Sequence, residues 1–181
     1  MAPSLCVPTR IKGGRRYWKE IMNTLGSTHI VFGSVALLAG TLVVLTRKGT
    51  RYHRTAGHLY FTSMLGLNIS GLLIYRLTGD FNFFHATALL SLTCLLTGIL
   101  PVILQRPKKG WLQLHGGFIS GSYVGLVAAT VSEMVTRVPG WDFTIAVGAT
   151  TALISAVGIY LISTRMSAAI AGIRSRGSRS D

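Results

Sequence analysis

The sequence predicts an all-α, polytopic membrane protein of about five transmembrane helices: a four-helix core that carries the histidines, plus a fifth helix. Three observations predict it. Apolar residues make up 49% of the 181-residue chain and charged residues only 13%, about half the charge usual in soluble domains. Mean hydropathy is +0.49. Stretches free of Lys, Arg, Asp and Glu recur at 28–46, 55–75, 81–105, 110–132 and 143–164, apart from Arg76 and Asp80 between the second and third. Each is long enough to cross roughly 30 Å of hydrocarbon as a helix, which takes about 20 residues. Helices are expected because lipid offers no partner to an unpaired backbone group.

Residues 1–27 precede the first span and carry Arg10, Lys12, Arg15, Arg16 and Lys19. No short apolar core with a small-residue cleavage site follows them, so they do not read as a secretory signal. Within them RRYWKEIMNTL sets Trp18, Ile21, Met22 and Leu25 at helical spacing beside cations. That pattern suits an interfacial helix in the headgroup layer; a basic tail with only local order fits the same residues. Pro101 should kink the third helix near its end, and Trp111 and Trp141 read as interfacial anchors. The transmembrane domain is therefore expected over 28–164. The tail, 165–181, is expected to be basic and largely disordered.

The net charge of +13 would ordinarily suggest nucleic acid. Here the cations lie outside the apolar stretches, so they read instead as orientation signals and contacts to anionic lipid, and no nucleic-acid partner is expected. Five spans place the termini on opposite sides. Arg47, Lys48, Arg51, Arg54, Arg106, Lys108, Lys109, Arg165, Arg174, Arg176 and Arg179 share the C-terminal side, called side B, with the one acid Asp181. Side A, the N-terminal side, holds Glu20, Asp80, Glu133 and Asp142. This balance puts side B in the cytoplasm. Cys6 and Cys94 form no CxxC or CxxCH pattern, so a zinc ribbon, a redox pair and covalently attached haem lack support.

All five histidines fall near the N-terminal ends of spans one to four, where an ionisable residue raises a functional hypothesis. His29 and His85 open spans one and three on side A. His53 and His58 precede or open span two, and His115 lies near the start of span four, on side B. Two facing imidazoles per layer are what bis-histidine haem iron requires, so His29 with His85 and His53 with His115 are candidate haem b ligands. Gly33, Gly57, Tyr60, Ser122 and Tyr123 are candidate supporting residues, because they share helix faces with those histidines. Small residues there would leave room for a flat macrocycle, although they also let membrane helices pack closely with no cofactor. A single site of His53, His58 and His115 holding zinc, copper or non-haem iron is the alternative ligand set. Asn68, mid-span, is expected to hydrogen-bond between helices. Glu133 is expected to be wet or paired with Arg137.

The segments HIVFGSVALLAGTLVVLTRKGTRYHRTAGHLYFTSM, FNFFHATALLSL and HGGFISGSYVGLVAAT resemble an uncharacterised family of predicted membrane proteins, domain of unknown function 2306. The resemblance covers roughly residues 28 to 140. Its pattern has a histidine at the first span, here His29, and a KGxxxHRxxGxxYxxxM stretch. Lys48, Gly49, His53, Arg54, Gly57, Tyr60 and Met64 fill that stretch. His85 opens the third span, and His115, Ser122, Tyr123, Gly125 and Leu126 match the fourth. His58 falls outside the pattern, which favours His53 as the side-B ligand.

In architecture the alternating layout also resembles the di-haem cytochromes b that move electrons across membranes from ascorbate or similar donors. The expected function is accordingly a b-type haem-binding transmembrane electron carrier, an oxidoreductase if it is an enzyme, with a redox partner or quinone-like donor. A haem-free helical scaffold or transporter subunit stands beside it, and a homo-oligomer fits either. One feature departs from the cytochrome layout: the histidine layers are expected about 25 Å apart along the helices.

Overall fold

A computed structural model describes residues 12–78, 83–106 and 110–177. The described residues form five helices: α1 (Lys12–Leu45), α2 (Arg51–Thr78), α3 (Phe83–Leu104), α4 (Trp111–Val135) and α5 (Phe143–Gly177). Among the described residues four stretches are long and apolar enough to cross a membrane: Asn23–Leu45, His85–Leu104, Trp111–Val135 and Phe143–Ala168. The second helix falls short in apolar character because it carries His58, Ser63, Asn68 and Ser70. It nevertheless runs antiparallel to α1 along the whole span. The α1–α2 contacts pass from His29 with Ser70, through Gly33 with Leu67 and Phe32 with Gly66, to Gly40 with Tyr60.

Two boundaries differ from the sequence expectation. The segment read as an interfacial helix is helical from Lys12 and continues into the first span without a break. Lys12–Leu45 contains no proline, so nothing in the sequence forces a corner there. The basic tail is also helical through Gly177, because the fifth helix extends over STRMSAAIAGIRSRG, whose alanines favour helix. Residues 1–11 and 178–181 lie outside the described residues. Pro101 lies within α3, which ends at Leu104, and Gln105 then takes a positive φ of 48°.

The turn between α1 and α2 shows why the KGTxxH residues stand where they do. Lys48 Nζ donates to the carbonyls of Val43 at 2.7 Å and Val44 at 2.9 Å, closing the C-terminus of α1 with a cation as the helix dipole favours. Gly49 supplies the left-handed residue, φ 83°. Thr50 then caps α2: its Oγ1 accepts the backbone N–H of His53 at 3.2 Å, which is N-capping by a threonine at the third helical position. The cap fixes where α2 begins and therefore the height at which His53 sits.

Packing is the reverse of a soluble domain. Leu38 is 68% exposed and Leu42 53%, whereas Ser63, Asn68, Ser70, His85 and Ser122 are each 4% exposed. Apolar side chains face outward, as lipid solvation allows, and polar ones face the interior. The core comprises Ala36, Ala39, Val43, Tyr60, Met64, Leu95 and Leu126. Among the described residues α1 touches α2 and α4, α3 touches α2 and α4, and α5 touches α4. Helices α1–α4 thus close a ring in which α1 lies diagonally opposite α3, and α2 opposite α4. The fifth helix lies outside that ring.

Candidate functional site

The ring sets the candidate ligands on diagonal helices: His29 and His85 on α1 and α3, His53 and His115 on α2 and α4. Their depths follow from cross-contacts. Tyr60 and Ser122 hydrogen-bond across the diagonal at 2.8 Å. His53 and His115 each precede these residues by seven positions on parallel helices, so they lie at one depth about 10 Å nearer side B.

The depths of the side-A pair follow from two contacts nearer the middle of the bundle: Thr41 meets Tyr123 at 2.7 Å, and Gly98 packs against Ile119. Stepping back four residues along α3 puts Cys94 at the level of Thr41. His29 precedes Thr41 by twelve residues and His85 precedes Cys94 by nine, a difference of about 5 Å in depth. The α1–α2 pairings, His29 with Ser70, Gly33 with Leu67 and Gly40 with Tyr60, set His53 level with about residue 47, so the two layers are about 25 Å apart along the helices.

Hydrogen bonds fix the nitrogen that each ring leaves available. His115 Nδ1 lies 2.9 Å from the Gly98 carbonyl. A carbonyl only accepts, so Nδ1 carries the proton and Nε2 keeps its lone pair. The Ser70 hydroxyl donates to the Leu67 carbonyl at 2.9 Å, so His29 Nδ1, 3.0 Å from Ser70 Oγ, is assigned as the donor to Ser70. Its Nε2 is likewise left with a lone pair. A histidine whose Nδ1–H is tied to a carbonyl or hydroxyl is the usual form of a metal-binding imidazole. His53 Nδ1 is buried with no hydrogen-bond partner. Burial, then the Lys48 and His115 charges, hold His53 below its ordinary pKa and keep it neutral. His85 is buried and has an interaction partner of its own.

Lys48 is itself lowered by burial. It contacts three carbonyls, those of Val43, Val44 and Thr46. The contacts to Val43 and Val44 are the short ones, and they tether the Lys48 amine at the side-B end of α1.

The supporting residues divide into two groups. Tyr60, 1% exposed, bonds Ser122. Tyr123 bonds Thr41, and the two tyrosine rings meet edge to face with centroids 6.3 Å apart. This hydroxyl layer joins α1, α2 and α4 between the histidine layers. Gly33 lies against Leu67, and a side-chain carbon at Gly40 would overlap Tyr123. Those two glycines therefore permit close packing rather than holding space open for a macrocycle. Gly57 differs, since a carbon added there would meet nothing within 4 Å. It stands one helical turn from His53 on the side of α2 that faces Tyr60.

Replacing Tyr60 with Phe removes the bond to Ser122, and we expect a loss of about 0.5–1.5 kcal/mol in detergent unfolding, in line with interhelical hydrogen bonds in membranes. A double-mutant cycle with Ser122→Ala measures it; additive single losses would show that the two hydroxyls do not couple.

His58 is exposed and lies five residues from His53, about 140° around the helix. The structure does not bring it to His53 and His115, and among the described residues no group of three or more His, Cys, Asp or Glu side chains could hold a metal ion. Asn68 donates to the Met64 carbonyl of its own helix at 2.8 Å, not to a neighbouring helix. Glu133 pairs with Arg137 at 2.7 Å on the surface. The sequence reading missed Thr41 and Gly98, which hold Tyr123 and His115; neither carries a motif signal of its own.

No curated protein and no solved structure matches the chain. One family model does, described as "Predicted membrane protein (DUF2306)", and it covers residues 26–169. That range takes in α1 from residue 26 onward, all of α2, α3 and α4, and most of α5. The chain is an integral, multi-pass membrane protein and belongs to the DUF2306 family of predicted membrane proteins.

Proposed function

We propose that this protein is a b-type haem carrier that moves electrons across the membrane, with His53 and His115 as one ligand pair and His29 and His85 as the other. The observation that supports the reading is that each pair lies on diagonal helices of one closed ring, the side-B pair at one depth and the side-A pair within about one helical turn. A flat, six-coordinate group needs two axial ligands that approach from opposite sides. Diagonal helices supply that approach and adjacent ones do not.

The donor chemistry fits as well. Two rings have Nδ1 bound to fixed oxygens, one has a buried Nδ1 with no partner, and Gly57 leaves open space beside His53. When bound, such a group would supply one-electron exchange. The chain's own residues would hold it, keep the imidazoles neutral and exclude lipid. With the ligand layers about 25 Å apart along the helices, groups held by the two pairs would have to extend toward the hydroxyl layer between them to exchange an electron.

The test is an absorption spectrum of protein purified in detergent after expression with added haem. A Soret band with sharpened bands on reduction, diminished in His115→Leu, supports the reading. No Soret band in the unaltered protein would falsify it and leave a helical membrane scaffold.

A further inference from the structure

We infer that the outward face of α2 at its side-B end is a binding site for one anionic phospholipid of the surrounding leaflet, built from Arg51, Arg54 and His58. The site is independent of the haem reading. Successive residues of a helix turn by about 100°, which puts Arg51, Arg54, Thr55, His58 and Thr62 within one arc of about 100°. All five are exposed. The opposite side of the helix carries the buried Tyr60 and Met64, so the arc looks out of the ring.

Depth gives this arc its chemistry. Helices α1 and α2 pair as Gly33 with Leu67 and Gly40 with Tyr60, which sets His58 level with Leu42 and Arg54 level with Thr46. The apolar span of α1 ends at Leu45, and Leu42 is exposed, as is Leu59 beside His58. His58 therefore lies about one helical turn inside the apolar layer, while the two arginines stand at its edge and beyond. An imidazole that faces hydrocarbon is costly unless its polar atoms are paired. Among the described residues no group pairs with the His58 ring; only its carbonyl is engaged, by Thr62.

A phospholipid supplies that partner at matching heights. Its phosphate lies in the headgroup layer, where the Arg51 and Arg54 guanidinium groups donate to its oxygens. Its glycerol esters lie below and accept from the His58 ring N–H. An acyl chain then descends past Ile69, which is exposed on the same arc and lies about 16 Å deeper than His58, close to half the hydrocarbon thickness. Helix α2 contains no Asp or Glu, and its N-terminus turns the positive end of the helix dipole toward the phosphate. A net negative headgroup is favoured over a zwitterionic one, whose quaternary ammonium the arginines repel.

The test is native mass spectrometry of the delipidated, full-length protein titrated with phosphatidylglycerol or phosphatidylcholine. The unaltered chain is expected to hold one phosphatidylglycerol in preference to phosphatidylcholine. Arg51→Gln with Arg54→Gln should remove that preference, each change lowering phosphatidylglycerol affinity by about fivefold. Arg51→Lys with Arg54→Lys keeps both charges and should retain most of it. His58→Leu should weaken both lipids, because the ester contact is common to them. A charge-matched control, Arg106→Gln with Arg165→Gln, removes two exposed side-B cations from outside the arc and should leave the preference in place. Equal binding of the two lipids by the unaltered chain, an equal loss in the control, or unchanged binding in His58→Leu would overturn the inference.

Discussion

Gly40→Leu is expected to cost about 3 kcal/mol or more and to prevent normal folding in the membrane. Gly40 is fully enclosed where α1 crosses α4. Its missing side chain leaves the space that the Tyr123 ring occupies, and Tyr60 Cε2 lies 3.0 Å from where a Cβ would stand. Both rings are tethered, Tyr123 to Thr41 and Tyr60 to Ser122. Neither can swing aside without breaking a hydrogen bond in a setting that offers no water as a replacement. Overpacking of this kind typically costs about 1–3 kcal/mol, and loss of the two bonds would add to it. Gly40→Ala should show the same effect at lower amplitude. Steric trapping or denaturant unfolding in detergent would measure both; unchanged stability in Gly40→Leu would mean that α1 and α4 are not this close.

Gly98→Val is expected to act on stability and on the candidate site together. A Cβ at Gly98 would stand 2.8 Å from the Ile119 side chain and 3.1 Å from its backbone nitrogen. The side chain has some freedom to rotate, but the backbone does not, so α3 and α4 must separate. The Gly98 carbonyl is the acceptor for His115 Nδ1 at 2.9 Å, and separation releases that ring. The expected result is a loss of about 1–3 kcal/mol accompanied by weaker haem retention. Ile119→Ala made in the Gly98→Val background should restore both, since it removes the overlap. A destabilised variant with unaltered haem retention would show that the Gly98 carbonyl does not position His115.

The span pattern was legible because lipid imposes a strict rule. A charge-free apolar stretch of helical length has few alternatives, and four of the five spans meet it by length and composition. The second helix was also found from its lack of charge, although its polar residues hold down its hydropathy. Those residues turn inward in the ring, as Ser63, Asn68 and Ser70 show.

The alternation of histidines between sides was likewise visible, because helix direction follows from span order. What the sequence could not show was angle and register. His53 and His58 are both near the start of α2, and only the helix wheel, anchored by the buried Tyr60 and Met64, separates the inward ring from the outward one. The glycines looked equivalent in sequence; contacts divide them into the close-packed Gly33 and Gly40 and the open Gly57. Helices α1 and α5 extend beyond the apolar stretches for a related reason. Cations beyond an apolar stretch mark where lipid ends, and a helix is free to continue into the headgroups and water.

The most direct measurement is haem stoichiometry in three purified forms: the unaltered chain, a His53→Ala/His115→Ala double variant and a His29→Ala/His85→Ala double variant. Diagonal ligand pairs at two depths predict about two haems per chain in the first and about one in each of the others. Equal haem content in all three forms, or none in the unaltered chain, would contradict the assignment of these histidines as ligands.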